Sequence, residues 1–454
     1  MYDITIVGSG VSSIFLAYTL LQSDQKILIL EKGKPLEQRD CALDHGEPCH
    51  CDLCEKYFGF AGLGKSEGKF NYTSNFGGEL AQKIGKEHAM QAMREVDDIL
   101  CLFGGEEIAK YSTVDAHLAK KAQSFGLQML TTEVRHLGTS LSTQIFQRMY
   151  DMLSRKIEIR FEVDITEIKK EAHSFIITTN QGMIHSHKVV LATGRSGTEW
   201  LQRQCSMLGV KQGTTRLDLG VRVEMKEQQL RSILQDTFET KLSYIHEDLV
   251  STTYCMNPRG RIIRKHQEGF VMPDGQNFRE KEHGTSNLNF TLFTSRYFPT
   301  LAEANAHAQK VIGSINDNRE RIIVQRLGDL RTGRPTTVEQ MAVNRICPTL
   351  QAECGDLTAH VPSIYIHILK RFLQCLEAFI GETIDEDTLL YGMDGKFYSP
   401  IIETTTRFET SVSGLYLIGD CSGITHSLSQ AAASGIYVGH YLSDSVVTSK
   451  QNEH

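Results

Sequence analysis

The sequence predicts an α/β protein: a Rossmann-like domain, with a parallel sheet and a small antiparallel β insertion, plus a β-rich α+β second domain. Three observations predict it: an N-terminal strand–glycine turn–helix–strand unit, a C-terminal apolar strand closing on Gly-Asp, and alternating strands between them. The 454 residues exceed one ordinary domain. We expect residues 1–210 and 346–454 to form the first domain and residues 211–345 to be inserted in it.

The N-terminal unit has the features of a dinucleotide-binding turn. Residues 3–7 are an apolar strand, Gly8 permits a tight turn, and Gly10 leaves room for a pyrophosphate to approach the backbone. The apolar helix that follows would direct its N-terminus at the phosphates, beginning with Val11-Ser12-Ser13. Ser13 stands where the third glycine of the fingerprint is expected, and it is still small enough for close helix–strand packing.

The second strand of this unit, residues 26–30, ends on a carboxylate. Glu31 lies near the spacing of about 20 residues expected for an acidic side chain that binds ribose hydroxyls, and Lys32 follows it. An ordinary βαβ unit would explain the glycines but not the carboxylate at this position. The order of these features therefore predicts a dinucleotide site.

A glycine-rich segment at residues 59–71 is expected to lie against the same ligand. Small residues suit a segment that is pressed onto a flat or phosphorylated molecule, where side chains would collide. A flexible surface loop is the alternative. The candidate contacts in this segment are Gly62, Gly64, Lys65, Gly68 and Lys69.

Four cysteines are clustered between these two segments. Cys41, Cys49, Cys51 and Cys54 could ligate zinc tetrahedrally or hold an iron–sulfur cluster. Their spacing matches no standard zinc knuckle, so unligated or redox-active thiols are the alternative.

Two later strands end in small-residue turns. Residues 188–191 form a buried strand followed by Ala192-Thr193-Gly194, and residues 410–418 form an apolar strand that closes on Gly419-Asp420. A small-residue helix then begins near Ser429. Paired with the N-terminal fingerprint, the Gly-Asp turn predicts a second contact with one cofactor from the far end of the chain.

Composition excludes some classes of function. The formal net charge of −7 argues against broad phosphate neutralisation, so we expect no nucleic-acid partner. Glycines and serines interrupt the apolar stretch at residues 4–21, which favours the nucleotide-binding unit over a membrane span. The 11 cysteines, with no basic and apolar leader before the first strand, indicate reduced thiols and a cytoplasmic location.

Motifs along nearly the whole chain resemble the bacterial FAD-dependent dehydrogenase family, within the glutathione-reductase-type flavoproteins that carry two dinucleotide-binding motifs. The matching motifs lie at residues 8–13, 62–69, 218–224, 254–260, 333–337, 398–400 and 419–420. This chain has Gly419-Asp420 where the family commonly has Gly-Glu. Asp394 alone represents the acidic residue that precedes the Tyr-Ser-Pro motif.

The resemblance implies FAD as cofactor, with Asp420 on the ribityl chain and the last helix directed at the flavin. His426 would donate to the flavin or act as acid/base, although a core histidine is the alternative. The residues expected to contact the cofactor are Gly8, Gly10, Val11, Ser12, Ser13, Glu31, Lys32, Gly62, Gly64, Lys65, Gly68, Lys69, Ala192, Thr193, Gly194, Gly419, Asp420, Ser429, Gln430 and Ala431.

The expected activity is hydride transfer between flavin and an unidentified small organic substrate, with the middle domain on the substrate side. NAD(P)H is a possible electron donor or acceptor, but no second G-x-G-x-x-G follows a strand. Candidate clamps for an anionic substrate or a nicotinamide phosphate are Arg222, Arg259, Arg261 and Arg334, unless they are ordinary surface arginines. The alternative function is a flavin-bearing electron-transfer or binding protein that uses the cysteine loop and a partner protein.

Overall fold

The structure, a computed structural model, describes residues 1–40, 53–55, 57–66, 68–234, 240–276 and 284–451. Its strands are β1 (Tyr2–Val7), β2 (Ile27–Leu30), β3 (Lys69–Tyr72), β4 (Tyr111–Ser112), β5 (Gln128–Leu130), β6 (Glu133–His136), β7 (Glu158–Arg160), β8 (Ile165–Lys170), β9 (Phe175–Thr179), β10 (Gly182–Leu191), β11 (Thr215–Lys226), β12 (Lys241–His246), β13 (Leu249–Pro258), β14 (Arg261–Gln267), β15 (Phe270–Gln276), β16 (Asn287–Phe298), β17 (Ile323–Arg326), β18 (Glu353–Cys354), β19 (Leu389–Phe397) and β20 (Leu415–Leu417).

The helices are α1 (Val11–Leu20), α2 (Leu80–Ile84), α3 (Lys86–Leu102), α4 (Ala116–Ser124), α5 (Gly138–Leu153), α6 (Thr198–Leu208), α7 (Arg231–Leu234), α8 (Leu301–Ala308), α9 (Ser314–Asn316), α10 (Leu327–Thr332), α11 (Val338–Ala342), α12 (Ser363–Ile380) and α13 (Leu428–Gln451). Within the described residues, no helix combines the length and the apolarity that a bilayer span requires.

The chain divides into two compact units. Unit 1 comprises Met1–Tyr111, Thr132–Gly213 and Ser399–His454, and unit 2 comprises Ser112–Thr131 and Thr214–Tyr398.

The domain division expected from the sequence stays a prediction, but by compactness some segments group differently. Residues 346–398 group with the middle of the chain, because β19 pairs with β11 on one side and with β17 on the other. Residues 112–131 join the same unit through β5, which pairs with β12.

Unit 1 is built on a parallel sheet with an antiparallel extension. The parallel strands run in the order β7-β2-β1-β10-β20, and β9 and β8 extend β10 in antiparallel fashion. β1 and β2 are apolar and almost wholly buried, as expected for parallel strands covered on both faces. This sheet confirms the predicted α/β class and its small antiparallel insertion.

Glycines allow α13 to pack closely on α1. A Cβ on Gly435 would lie 2.1 Å from the Ser12 carbonyl oxygen, and one on Gly439 would lie 2.7 Å from Thr19 Cβ. The small residues of the C-terminal helix therefore bring it against the helix that follows the first strand.

Unit 2 contains an eight-stranded sheet in the order β18-β17-β19-β11-β16-β13-β12-β5, with β14 and β15 as a separate hairpin. One face of β11 carries apolar side chains that pack in a core with α12, whose apolar residues recur at helical spacing. The opposite face of β11 carries charged side chains, including Asp218 and Arg222, that are also buried. The unit confirms the predicted β-rich α+β second part.

Candidate functional site

The sequence motifs of unit 1 follow the carboxyl ends of neighbouring parallel strands. Gly8 directly follows β1, Glu31 follows β2 and Ala192 follows β10. Gly419 follows β20 after one intervening residue, Ile418. Ligands of open α/β sheets bind beyond this edge of the sheet. Four segments that are far apart in sequence are thus assembled at one edge.

Gly8 is required by both its backbone conformation and its neighbours. Its φ is +97°, and an added Cβ would lie 2.5 Å from the Ala192 carbonyl oxygen. Its amide donates to the Leu30 carbonyl at 2.7 Å. The turn after β1 is therefore fixed by the ends of both adjacent strands.

Gly10 differs from Gly8, because its glycine character is not needed by the protein itself. Its φ of −70° and ψ of −178° are open to any residue, and an added Cβ would meet no atom within 4 Å. Gly62 approaches Gly10, and the Ala61 amide donates to the Ser9 carbonyl at 2.9 Å. The glycine-rich segment therefore lies against the turn.

The Glu31 carboxylate accepts four hydrogen bonds from the protein. One oxygen accepts from the Ser9 amide at 2.8 Å and the Ser9 hydroxyl at 2.7 Å. The other accepts from the amides of Gly33 at 2.7 Å and Gly59 at 3.0 Å. A carboxylate has about four acceptor positions, so protein donors already occupy those of Glu31. The buried carboxylate links three segments around the turn.

Arg39 was not singled out from the sequence, yet it holds the glycine-rich segment. Its guanidinium is buried and donates to the carbonyls of Phe60 at 2.5 Å and Gly62 at 3.0 Å, and to the Glu55 carbonyl. Lone arginines in loops have no local signature, so the sequence carried no signal for this role.

The other candidates in the glycine-rich segment have protein neighbours. A Cβ on Gly64 would lie 2.7 Å from both Phe146 and Val11 side chains, and one on Gly68 would lie 2.6 Å from Ser142. These two glycines allow the segment to pack on α5. The Lys65 ammonium donates to the Arg39 carbonyl at 2.5 Å.

Lys32 and Lys69 were also predicted to contact the cofactor, and the structure places Lys32 beside Asp164 and Lys69 in β3. The Lys32 ammonium lies 2.9 Å from an Asp164 carboxylate oxygen, and both side chains are more than half exposed. Lys69 is half-buried at the start of β3, opposite His136 of β6.

The Gly-Asp turn of the C-terminal segment packs directly on α1. Gly419 has a φ of +69°, and an added Cβ would lie 2.5 Å from Ser12 Oγ. Its amide donates to Ser434 Oγ at 3.0 Å. Asp420 accepts from Thr425 Oγ1 at 3.0 Å, and its second oxygen lies 3.5 Å from Arg195 Nε.

Two buried hydroxyls at these segments have no hydrogen-bond partner in the described part of the chain. They belong to Ser13 and Ser429, both of which were predicted to contact the cofactor. Gly194, beside Thr193, has a φ of +62° and no atom within 4 Å of an added Cβ. Buried hydroxyls normally find partners, so these residues fit a polar ligand such as a dinucleotide.

The start of α13 is enclosed by the segment that precedes α2. Gln430 donates to the carbonyls of Thr73 at 3.2 Å and Phe76 at 3.0 Å, and accepts from the Leu80 amide. The His426 amide donates to the Gly77 carbonyl at 2.8 Å, and the Ala431 amide donates to the Ser427 carbonyl at 2.9 Å. The Gln430 side chain thus bonds protein backbone.

The predicted metal cluster falls mostly outside the described residues. Cys41, Cys49 and Cys51 lie there, and Cys54 is a half-buried free thiol. Among the residues the structure describes, no group of three or more His, Cys, Asp or Glu side chains could hold a metal. The metal site stays a prediction. Cys421 is buried next to Asp420, and burial raises the pKa of its thiol to about 12.

The predicted substrate clamp Arg222 lies in a buried polar network, and its role as a clamp stays a prediction. The Arg222 guanidinium is buried and donates to Asn289 Oδ1 at 2.6 Å and Thr291 Oγ1 at 2.9 Å, and lies 3.4 Å from Asp394. Its hydrogen bonds are thus made within unit 2. Arg261 donates to Gln276 and Arg334 to Thr332, both on exposed positions.

Unit 2 carries a second polar cluster, which we call the polar sheet face: Arg216, Asp218, Tyr254, Lys396 and Tyr398. Arg216 and Asp218 form a bidentate ion pair at 2.7 and 2.8 Å, and Tyr398 donates to Asp218 at 2.8 Å. Lys396 donates to the Tyr254 hydroxyl at 2.9 Å. Three strands supply these residues, so their meeting was not visible in the sequence.

No protein-family model and no curated protein matches this sequence. The chain is similar to several solved structures, all at low identity. Halogenase PltM in complex with phloroglucinol and FAD is 13% identical, with a TM-score of 0.41 over 100% of this chain and 71% of that one. Glycine oxidase from Geobacillus kaustophilus is 11% identical, with a TM-score of 0.40 over 98% and 94%.

CtdE in complex with FAD is 11% identical, with a TM-score of 0.35 over 98% of this chain and 84% of that one. At such TM-scores and identities, none of these likenesses carries an argument about the cofactor or the reaction of this chain.

Proposed function

We propose that the protein is an FAD-dependent oxidoreductase that transfers hydride between flavin and a small organic substrate. One observation carries the proposal: Gly8, Glu31, Ala192 and Gly419 follow the ends of four parallel strands at one edge of the sheet. A dinucleotide binds at this edge of an open α/β sheet, and Gly10 leaves its backbone accessible there.

The residues present fit FAD. The turn at Gly8 to Gly10 and the N-terminus of α1 would receive the pyrophosphate, because backbone amides and the helix dipole favour negative charge there. The hydroxyls of Ser13 and Ser429 would supply hydrogen bonds that the described part of the protein leaves unused. Bound FAD would supply the hydride chemistry, which no side chain can provide.

Asp420 and the N-terminus of α13 would orient the flavin end of the cofactor. The Asp420 carboxylate is held by Thr425, which limits its rotation. The amide groups that begin α13 favour negative charge on a neighbouring group. His426 keeps the role of a proposed acid/base or flavin contact.

We propose a revised role for Glu31. A ribose hydroxyl would have to share an acceptor position with a donor already bound, because Ser9, Gly33 and Gly59 supply four hydrogen bonds. Glu31 therefore acts first as the residue that fixes the turn, and cofactor affinity follows from the shape of that turn.

The cofactor is tested on the purified protein. The flavin released by denaturation is expected to be FAD, because FMN would leave the adenosine side of the site unused. Gly10→Val should abolish FAD binding while keeping the melting temperature of the flavin-free protein, since the backbone at Gly10 accepts any residue. FMN in the supernatant, or full FAD content in Gly10→Val, would contradict the proposal.

The electron partner is tested by anaerobic mixing with NADH or NADPH. Rapid bleaching of the flavin would identify a reductase that uses NAD(P)H, which we include as a possible co-substrate. The alternative, an electron-transfer protein that uses the cysteine loop, predicts slow bleaching with both and fast reduction by a one-electron donor protein. Of that loop's cysteines only Cys54 is described, so no observation favours the alternative. The cytoplasmic location stays a prediction.

A further inference from the structure

The polar sheet face of unit 2 is assembled by strand register. Asp218 of β11 lies directly opposite Lys396 of β19 and opposite Ser295 of β16, so their side chains share one face of the sheet. Tyr254 of β13 reaches the same cluster by accepting a hydrogen bond from Lys396. No residue of this face belongs to the dinucleotide turn, and the proposed function gives the face no role.

Tyr254 has an unusual environment for a phenol. The Lys396 ammonium lies 4.1 Å from the centre of its ring and 2.9 Å from its oxygen, and the Lys241 ammonium lies 4.2 Å from the same ring centre. Phe293 packs edge-on at 5.6 Å between ring centres. The residue is half-buried.

The charges around Tyr254 favour ionisation. Burial alone would raise the pKa of the phenol, and the Asp218 charge acts in the same direction. Lys396 and Lys241 outweigh both and lower the pKa to about 8. The phenol is therefore protonated at neutral pH and ionised in mildly alkaline solution.

Lys396 has binding capacity beyond this contact. An ammonium group has three N–H donors, and among the described residues Lys396 makes one hydrogen bond, to Tyr254. No carboxylate of the described residues lies within 4.0 Å of the Lys396 ammonium. Asp218, which lies opposite Lys396 in the sheet, is paired with Arg216. A half-buried ammonium without a carboxylate attracts an anion.

We propose that Tyr254 and Lys396 bind the carboxylate of a small organic acid on the polar sheet face. The carboxylate accepts hydrogen bonds from the protonated Tyr254 hydroxyl and from the Lys396 ammonium. The rings of Tyr254 and Phe293 offer apolar surface for the rest of the molecule. Calling this acid the substrate rests on the proposed function, but its binding does not need the flavin.

Binding and ionisation of Tyr254 are linked. A bound carboxylate disfavours the phenolate, so it must raise the Tyr254 pKa above 8. Conversely, carboxylate affinity should fall about tenfold for each pH unit above that pKa, because only the protonated phenol donates. A neutral amide of the same shape should change neither quantity.

The experiment is a pH titration of tyrosinate absorbance at 295 nm on the protein as purified, with and without cyclohexanecarboxylate or cyclohexanecarboxamide. One of the 15 tyrosines should ionise near pH 8. That step should vanish in Tyr254→Phe. It should persist in the control Tyr244→Phe, because the pKa of the Tyr244 phenol is raised and Tyr244 does not ionise near pH 8. Subtracting the Tyr254→Phe curve removes any flavin contribution.

Cyclohexanecarboxylate should raise the midpoint by about one unit, a tenfold effect, and the amide should leave it in place. Lys396→Met should raise the midpoint and remove the response to the carboxylate. Lys396→Arg, which keeps the positive charge, should keep the midpoint near pH 8 and the response to the carboxylate. Thermal melting confirms that each variant is folded.

Absence of the step near pH 8, or a step that responds equally to acid and amide, would overturn the proposal. Because the readout is independent of flavin reduction, an unfavourable result here is distinguishable from failure of the oxidoreductase function.

Discussion

The site at the ends of the parallel strands of unit 1, marked by Gly8, Glu31, Ala192 and Gly419, is called the strand-end site here. It is built differently from the polar sheet face of unit 2. The strand-end site is made of backbone: glycines, turns and helix N-termini that follow β1, β10 and β20. The polar sheet face is made of long side chains from β11, β13, β19 and the residue after β19, and its Lys396 ammonium has no carboxylate partner among the described residues. The first kind of site carries a local sequence signature, and the second arises only when distant strands pair.

The largest loss of folding stability is expected at the strand-end site. Gly8→Val combines a positive φ with a Cβ 2.5 Å from a carbonyl oxygen, so it should cost about 5 kcal/mol or more of unfolding free energy. Urea unfolding or yield of folded protein measures this. Gly10→Val, in the same turn, is the control and should stay folded. Equal stability of the two variants would show that the turn is less constrained than its geometry indicates.

An intermediate loss of stability is expected at Arg222, which lies on the same face of β11 as Asp218 of the polar sheet face. Arg222→Met removes the buried guanidinium that lies beside the Asp394 carboxylate and donates to Asn289, and it should cost about 3 to 5 kcal/mol. Urea unfolding followed by circular dichroism measures it. Arg319→Met, which removes an exposed ion pair with Asp317, is the control and should change stability by less than about 1 kcal/mol. Similar values for both would mean that the buried network adds nothing to unit 2.

The smallest effect is expected at the edge of the strand-end site. Lys32→Ala removes an exposed ion pair with Asp164 and should cost about 0 to 1 kcal/mol. FAD affinity, measured by fluorescence quenching on titration into flavin-free protein, should stay within about twofold. A loss of tenfold or more would restore Lys32 as a cofactor contact.

Local patterns predicted the elements of unit 1 well. β1, β2 and α1 begin and end within a few residues of the expected positions, because apolar runs and glycine turns are short-range signals. In unit 2, the apolar residues of α12 recur at helical spacing over residues 363–380. The grouping of residues 346–398 with unit 2 depends on the pairing of β19 with β11, and such long-range pairing leaves no local pattern.

At the strand-end site, the sequence indicated which positions need a small or an acidic residue. It did not indicate which protein atoms contact those residues. Gly64 and Gly68 were expected to contact the cofactor, and the structure shows that an added Cβ at these positions would meet Phe146 and Ser142 of α5. Glu31 stands at the expected spacing, yet Ser9 and two loop amides occupy its carboxylate. A sequence pattern indicates that space or charge is needed, and only the fold decides which atoms use it.

The four hydrogen bonds of Glu31 have a consequence for how the chain tolerates change. Gly33 and Gly59 donate to the same carboxylate oxygen, so both ends of the intervening excursion are fastened at one point beside the turn. With its ends fixed, each doubling of the length between them should cost only about 0.6 kcal/mol in closure entropy. Arg39 holds the glycine-rich segment from inside this excursion. We therefore expect that segments of different length and chemistry can be grafted between Asp40 and Glu55 without rebuilding the turn.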